Sequence, residues 1–146
     1  MRVKAYIDGS SLGNPGPAGI GIVIKNEDET DTIATLSLSV GYNRTSNEAE
    51  YEAAIELVSM LRWIGVTEVD IHSDSKLVVN QINGTWKCKN QKLEKLRETF
   101  YDIISRWTSS YRGKGWTISH IPRSENTEAD ALARKASLEL AAGKLL

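Results

Sequence analysis

The chain has a single cysteine, Cys88, and only two histidines among its 146 residues. One cysteine excludes an internal disulfide and any metal site built from several thiolates. No apolar run approaches the roughly 20 residues of a membrane-spanning helix, and the first ten residues lack the apolar segment of a secretory signal. Repeats, low-complexity tracts and linkers are absent as well. We therefore expect a globular, cytoplasmic protein that does not enter a membrane.

Length and charge indicate the number of domains and the distribution of charged residues along the chain. A chain of 146 residues is expected to form one domain, 1–146, and to bury roughly 70% of its unfolded surface. The net charge is only −1, but residues 1–76 carry 12 acidic and 6 basic side chains, whereas residues 77–146 carry 7 acidic and 12 basic ones. An average near zero can hide two patches of opposite sign. Ordinary surface charge is the alternative interpretation.

Apolar, β-branched runs and helical periodicities follow one another in the order βββαβααβα. Three strands with short connections favour an antiparallel meander, and the later alternation of strands and helices favours a mixed sheet covered by helices. The glycines and prolines of Gly9–Gly19 predict a loop. The predicted strands are Val3–Asp8, Ile20–Lys25, Thr32–Val40, Val66–Ser73 and Gly115–Ile121, and the predicted helices are Thr45–Ile64, 74 or 75 to about 84, about 91–109 and about 125–141.

Three aspartates have notable positions in this scheme. Asp8 ends the first strand, Asp74 ends the fourth, and Asp130 lies in the last helix. Each has an ordinary explanation, as an Asx-turn, a helix N-cap and a favourable charge near a helix N-terminus, respectively. If the two strands are neighbours, however, their ends meet at one edge of the sheet. Clustered carboxylates need a cation, and hard oxygen ligands select Mg²⁺ or Mn²⁺.

The first helix contains four glutamates, and helical periodicity selects one of them. Glu48 fits a capping box with Thr45, while Glu52 and Glu56 are expected on the solvent face. Residues spaced three or four apart share the buried face; they are Asn47, Glu50, Ala54, Val58 and Leu61. A carboxylate at the edge of a core is neutralised, paired or metal-bound. Glu50 is therefore the fourth candidate, and two ions held by such acids serve phosphoryl displacement.

Four blocks of sequence together resemble type 1 ribonuclease H, the endonuclease that cuts RNA in RNA/DNA hybrids. They are YIDGSSLGNPGPAG, GYNRTSNEAEYEAAI, HSDSKLVVNQING and HIPRSENTEADALA, in the order typical of the family. The resemblance implies an α/β, ribonuclease H-like fold whose five-stranded mixed sheet has three antiparallel strands, then two parallel ones, with helices on both faces. It also implies cleavage that leaves 5′-phosphate and 3′-hydroxyl ends. The metal ligands would be Asp8, Glu50, Asp74 and Asp130, which bind two Mg²⁺ ions, or Mn²⁺, with Asp8 as the bridge.

The same resemblance assigns roles to other polar residues. His120 matches a mobile histidine that aids proton transfer or product release, although a histidine that simply ends a strand is the alternative. Arg44 and Thr45 resemble part of a pocket for a DNA phosphate, at a polar helix N-terminus that suits an anion. Asn126 matches a polar residue near the metal site and is included among the substrate-binding residues. Contacts with RNA 2′-hydroxyls are implied for Gly13, Asn14, Asn47 and Lys76.

Trp86 stands between a turn and two lysines, Lys87 and Lys89. Such an indole can stack on DNA sugars while the lysines bind phosphates; a core tryptophan with solvated lysines is the alternative. The basic balance of residues 77–146 would serve the same purpose. The other tryptophans, Trp63, Trp107 and Trp116, are interpreted as core or boundary residues.

The chain departs from family members that carry an extra short helix and a strongly basic loop, because WKCKNQKLEKLRETF runs directly into the next helix. Affinity for substrate would then either be weaker or depend on Lys87, Lys89, Lys92 and Lys95. We expect a monomer that acts on RNA/DNA hybrid. The alternatives are a hybrid-binding domain without catalysis, a nuclease that also cuts duplex RNA, and an interaction domain that binds no nucleic acid.

Overall fold

The computed structural model, which describes residues 1–110 and 112–143, contains one sheet of five strands. They are β1 (Arg2–Ser11), β2 (Gly16–Asn26), β3 (Thr32–Arg44), β4 (Glu68–Ser73) and β5 (Gly115–His120). Their order across the sheet is β3-β2-β1-β4-β5. β2 is antiparallel to β1 and β3, whereas β4 is parallel to β1 and β5. This arrangement confirms the predicted mixed sheet.

Four α-helices pack around the sheet within the described residues: α1 (Ser46–Met60), α2 (Lys76–Ile82), α3 (Gln91–Ser109) and α4 (Thr127–Gly143). Short 3₁₀ turns occupy Leu61–Trp63 and Arg123–Glu125. None of the described helices combines the length and the apolar character that crossing a bilayer requires.

Side chains of the residues just before α1, α2 and α3 cap the N-termini of these helices. The predicted capping box at α1 is confirmed, because the Glu48 amide donates to the Thr45 hydroxyl and the Glu48 carboxylate accepts from the Thr45 amide, each over 3.1 Å. Of the two residues considered for the start of α2, Ser75 is the cap, since its hydroxyl accepts from the Val78 amide. Each cap satisfies a helix-end N–H that has no partner inside the helix.

β1 presents different residues to the two faces of the sheet, because successive side chains point in opposite directions. Val3, Ala5 and Ile7 are fully buried and belong to the main hydrophobic core. Ala5 and Ile7 lie opposite Ile24 and Ile22 of β2. The alternate residues Lys4, Tyr6, Asp8 and Ser10 face the other side. The charged residues in the middle of β1, Lys4 and Asp8, therefore lie on the face opposite the main hydrophobic core.

Two glycines bring a helix into direct contact with the strand backbone on each face. A Cβ atom at Gly9 would lie 2.3 Å from the carbonyl carbon of Ala49 in α1, and one at Gly21 would lie 2.1 Å from the carbonyl oxygen of Ala129 in α4. Gly21 is the β2 partner of Asp8, which points away from the face of Gly9. α1 and α4 thus cover opposite faces, as predicted.

Two of the predictions about strand ends and core residues are wrong in detail. Asp8 does not end its strand: β1 continues to Ser11, because pairing with β2 extends to the Ser11–Ala18 pair and only residues 12–15 form the turn. What ends beside Asp8 is the parallel pairing with β4, whose last pair is Ile7–Ser73. The indole of Trp63 is 73% exposed instead of lying in the core or at its boundary.

The contact at Gly21 yields a test of the fold. We expect Gly21→Ala to lower the free energy of unfolding by about 2 kcal/mol or more, because the added methyl group overlaps backbone atoms of α4. Gly115→Ala is the matched control, since nothing lies within 4 Å of a Cβ there. Urea denaturation of both variants gives the comparison, and equal stabilities would contradict the close helix–strand contact.

Candidate active site

Three carboxylates meet where β4 separates from β1. One oxygen from each of Asp8, Glu50 and Asp74 lies within 4.8 Å of the other two. Asp8 and Asp74 directly follow the last parallel pair of the two strands, Ile7–Ser73. Glu50 lies in the first half of α1, which packs directly on the backbone of β1 because residue 9 is glycine. Sequence reasoning named all three residues, and the structure brings them together.

Asp130 approaches the cluster from α4. Its carboxyl group is close enough to Asp8 to raise the pKa of that residue through both a hydrogen bond and its charge. An ion pair of 3.4 Å with Arg134 holds the other side of Asp130, whose side chain is 32% exposed. The fourth predicted acid therefore lies at the solvent side of the cluster.

Asn126 fixes the start of α4 against β1. Its side-chain NH₂ group donates to the Ile7 carbonyl oxygen over 2.9 Å, and its backbone carbonyl oxygen accepts from the Asp130 amide over 3.0 Å. Asn126 is only 2% exposed. These bonds hold the first turn of α4, which carries Asp130, against β1; the role of Asn126 in substrate binding stays a prediction.

The charges of the cluster oppose one another. Burial raises the pKa of Asp8 to about 7, and the nearby charges of Asp74 and Asp130 add to the effect, while a hydrogen bond with Glu50 acts in the opposite direction. Burial, followed by the charge of Asp8, raises the pKa of Glu50 well above its usual value. Ionised together in a buried site, these groups repel one another strongly.

The cluster fits a divalent cation. Among the described residues, Oε2 of Glu50 is buried without a hydrogen-bond partner, and such an atom is costly unless it is protonated or bound to a positive charge. The candidate ligands are all carboxylate oxygens, which suit Mg²⁺ or Mn²⁺. The unpaired oxygen and the donor set are thus both explained by a bound cation.

His120 is the last residue of β5, and its ladder partner on β4 is Ser73, the residue before Asp74. The imidazole is exposed. The structure therefore places His120 one strand away from Asp74, on the solvent side. Its role in proton transfer or product release stays a prediction.

A cleft opens between the N-termini of α1 and α3, with a volume of about 590 Å³. Thr45 caps α1 and Asn90 caps α3, so both helices direct backbone N–H groups towards this region, where helix dipoles favour an anion. Predicted substrate residues Asn14, Thr45 and Asn47 line it together with Asn90 and Lys92. Sequence reasoning missed Asn90, although an asparagine directly before a helical periodicity is a recognisable N-cap signal.

The turn between β1 and β2 is tied to this cleft. The side-chain oxygen of Asn14 accepts from the Ser46 amide over 2.8 Å. Gly13 precedes it with φ +91°, a left-handed conformation that favours glycine. Both residues are exposed, so their backbone is open to a ligand on the surface.

Arg44 does not line the cleft. Its Nε donates to Glu52 over 3.0 Å and Nη1 donates to the Tyr42 carbonyl oxygen. Glu52 was expected on the solvent face of α1, but pairing with Arg44 leaves it partly buried. Lys76, the first residue of α2, is exposed two positions after Asp74.

The loop between α2 and α3 presents Trp86, Lys87 and Lys89 on the surface. Trp86 is 47% exposed, so a core position is wrong for this residue. Its amide donates to the Asn80 carbonyl oxygen over 3.1 Å, and the side chain of Gln81 donates to the Lys87 carbonyl oxygen over 3.5 Å. These bonds attach the backbone of Trp86 and Lys87 to α2, so that the indole and the lysine side chains lie on one exposed loop.

Known proteins share this fold. A family model described as reverse transcriptase-like matches residues 6–136. Ribonuclease HI of Halobacterium salinarum is 35% identical over 135 residues, which cover 92% of this chain and 64% of that protein. The crystal structure of RNase H1 from that organism has a TM-score of 0.85 at 34% identity and covers 93% of this chain and 97% of that chain.

Two further relatives extend the comparison. A bifunctional protein of Mycobacterium tuberculosis is 38% identical over 136 residues, which cover 93% of this chain and 35% of that protein. The structure of LC11-RNase H1 in complex with RNA/DNA hybrid has a TM-score of 0.80 at 36% identity and covers 94% of this chain and 97% of that chain. This chain thus spans less than two thirds of the length of the Halobacterium and Mycobacterium proteins.

The sheet order and the close structural matches define a domain of the ribonuclease H-like fold class. Ribonuclease HI of Haemophilus ducreyi is 32% identical over 141 residues, which cover 90% of this chain and 88% of that protein, and the chain therefore belongs to the ribonuclease H family.

The raised pKa of Asp8 predicts how stability depends on pH when no metal is bound. Its carboxyl titrates at about 7 in the folded protein, against about 4 in an unfolded chain. Between these values the folded state keeps a proton that the unfolded state releases, so stability falls as the pH rises from about 4 to about 7. Urea denaturation in EDTA should show a loss of roughly 2–4 kcal/mol in the free energy of unfolding.

Two controls accompany this measurement. Asp8→Asn should weaken the pH dependence, whereas Asp31→Asn, in the exposed turn before β3, should leave it unchanged. Added Mg²⁺ should restore stability above pH 7, because a ligand that binds only the folded state stabilises it. Constant stability from pH 5 to pH 8 in EDTA would show that the cluster is not under electrostatic strain.

Proposed function

We propose that this chain is a divalent-metal-dependent endonuclease that hydrolyses the RNA strand of RNA/DNA hybrids and leaves 5′-phosphate and 3′-hydroxyl ends, with residues 1–146 acting as a single catalytic domain. The observation that carries the proposal is the convergence of Asp8, Glu50 and Asp74 within 4.8 Å. Membership of the ribonuclease H family and the hybrid bound to LC11-RNase H1 support the choice of substrate.

The four acids would hold the metal. Asp8, Glu50, Asp74 and Asp130 offer carboxylate oxygens to two Mg²⁺ ions, for which Mn²⁺ can substitute. When bound, the ions supply an activated water and stabilise the leaving oxygen. The protein holds the acids close together against their own repulsion, through the packing of α1 and α4 at Gly9 and Gly21. A binding domain without catalysis gains nothing from negative charge clustered beside phosphates.

His120 would take part in proton transfer or product release. An imidazole can accept a proton and pass it to solvent near neutral pH. Its exposed position at the end of β5, beside the strand that carries Asp74, supports this role.

Substrate contacts would lie on both sides of the cluster. The exposed turn of Gly13 and Asn14, together with Asn47 and Lys76, would contact the RNA strand and its 2′-hydroxyl groups. Arg44 and Thr45 would bind a phosphate of the DNA strand near the cleft at the N-termini of α1 and α3. The loop with Trp86, Lys87 and Lys89 would contact the DNA strand by stacking and by charge.

Incubation with end-labelled substrates tests the reaction. RNA/DNA hybrid should be cut in its RNA strand when Mg²⁺ or Mn²⁺ is present and remain intact in EDTA, with product ends identified by mass spectrometry. Duplex DNA should not be cut, and duplex RNA tests for a wider preference. Intact hybrid in the presence of both metals would contradict the proposal.

Asp8→Asn should abolish turnover while the protein stays folded, because the amide removes the central anionic ligand. Removal of such a charge should lower kcat by at least about 10³-fold. Circular dichroism and thermal melting establish the fold, and Asp31→Asn is the matched control with full activity. Normal turnover by Asp8→Asn would exclude a metal-bridging role.

Trp86→Ala should raise KM for hybrid by roughly 5-fold to 100-fold, because stacking on one indole contributes about 1–3 kcal/mol. The value of kcat should change little, since the loop lies apart from the carboxylates. Trp86→Phe should retain part of the affinity, and Lys135→Ala, on the exposed side of α4, should retain all of it. An unchanged KM for Trp86→Ala would remove this loop from the binding surface.

A further inference from the structure

A buried polar side chain connects α1 to the loop between α2 and α3. Gln81, near the end of α2, is only 6% exposed. Its neighbours on the same helix, Val78, Val79 and Ile82, are buried in the main hydrophobic core. A buried amide is costly unless its polar atoms find hydrogen-bond partners. The partners of Gln81 therefore indicate why this position is not apolar.

Gln81 is hydrogen-bonded to three separate elements. Its side-chain oxygen accepts from the hydroxyl of Tyr51 in α1 over 2.7 Å. Its side-chain nitrogen donates to the Lys87 carbonyl oxygen in the loop over 3.5 Å. Its backbone carbonyl oxygen accepts from Nε of Arg97 in α3 over 2.8 Å. One residue of α2 thus joins both neighbouring helices and the loop.

Tyr51 connects this network to the carboxylate cluster. It directly follows Glu50 in α1 and is fully buried. Burial raises the pKa of the Tyr51 hydroxyl, so the group keeps its proton at neutral pH and donates to Gln81. α2 itself begins two residues after Asp74. The network therefore starts from the two elements that hold Glu50 and Asp74.

The second half of the loop depends on the side chain of Gln81. Trp86, in the first half, is attached through its backbone, because its amide donates to the Asn80 carbonyl oxygen. For the segment from Lys87 to Lys89, the bond from Gln81 is the only hydrogen bond to a residue outside the loop among the described residues. Loss of this bond weakens the attachment of the segment that carries both lysines.

A contribution to stability alone does not explain a glutamine at this position. Methionine has nearly the same length and would place no polar atoms in the core. Replacement of buried hydrogen-bonded groups by apolar groups of the same shape is often neutral or stabilising. A buried network with satisfied hydrogen bonds instead favours one arrangement of the elements it joins.

We propose that Gln81 is a positioning residue for substrate binding, because its amide holds the Lys87–Lys89 segment in a fixed place relative to the carboxylate cluster. This inference rests on the proposed function, in which the loop contacts the hybrid. A loop that is already ordered loses less conformational entropy when it binds. A loosened loop should therefore weaken binding of hybrid and leave the chemical step unchanged.

Cys88 reports the attachment of the loop directly. It is the only cysteine of the chain, lies between the two lysines and is partly buried against the core. Its reaction with the thiol reagent DTNB is therefore faster when the loop opens locally. Gln81→Met, which removes both side-chain hydrogen bonds, should raise the rate of labelling about 3-fold to 10-fold. The measurement requires neither metal nor nucleic acid.

Steady-state kinetics on RNA/DNA hybrid test the consequence for binding. Gln81→Met should raise KM about 3-fold to 10-fold, with kcat unchanged, because the carboxylates stay in place. Tyr51→Phe, which removes the hydroxyl that orients the amide, should change KM and labelling in the same direction to a smaller extent. It also serves as the test if Gln81→Met does not fold, which thermal melting establishes.

Val79→Ala is the matched control. Val79 is 4% exposed on the same helix, so its truncation should lower the melting temperature. The hydrogen bonds of Gln81 remain in this variant, and KM and the labelling rate should therefore stay as in the unmodified chain.

Faster labelling and a raised KM in Gln81→Met, with neither change in Val79→Ala, support the proposal. An unchanged labelling rate, an unchanged KM, or equal changes in Val79→Ala overturn it. If the unmodified chain cuts no hybrid, the proposed function fails, while the labelling rates still support or overturn the attachment of the loop by Gln81.

Discussion

Direct packing of two helices on strand backbone determines where the proposed catalytic groups lie. At Gly9 the backbone of α1 occupies the space of a missing Cβ atom, and at Gly21 the backbone of α4 does the same on the opposite face. Side chains of ordinary size would hold a helix about 10 Å from the sheet. Because both positions are glycine, both helices lie close to the strand backbone. Glu50 and Asp130 can therefore approach Asp8 from helices on opposite faces of the sheet.

The same packing creates an electrostatic cost. Asp8 and Glu50 are 4% and 8% exposed, and burial raises the pKa of both. The charge of Asp8 raises the pKa of Glu50 further, whereas a hydrogen bond with Glu50 lowers the pKa of Asp8. A protein selected only for stability would replace one of them by an apolar residue, since a buried unpaired charge is strongly destabilising. The cluster is therefore maintained against the stability of the metal-free fold, as is typical of functional sites. The buried Glu50 oxygen that lacks a hydrogen-bond partner is one source of this loss of stability.

Much of the fold and most of the carboxylate cluster could be predicted from sequence, because both depend on local periodicity. Glu50 was identified by the helical spacing that also buries Ala54. The errors concern relations between elements. That β1 continues past Asp8 depends on pairing with β2, and the partial burial of Glu52 depends on Arg44, eight residues earlier. Trp63 looked like a core residue, but in the 3₁₀ turn Leu61 is the buried residue, and Trp63 lies on the exposed side.

The distribution of basic residues shows the same limit. The sequence indicates one basic half of the chain and suggests one purpose for it. In the structure these cations follow α3: Lys87 and Lys89 precede its first residue, Lys92 and Lys95 lie in its first turns, and Arg106 lies near its last turn. The helix extends about 24 Å from its N-cap to Arg106, more than twice the Debye length at physiological salt. Charges at the two ends of the helix are therefore screened from each other, and the net charge of half the chain does not describe a single surface.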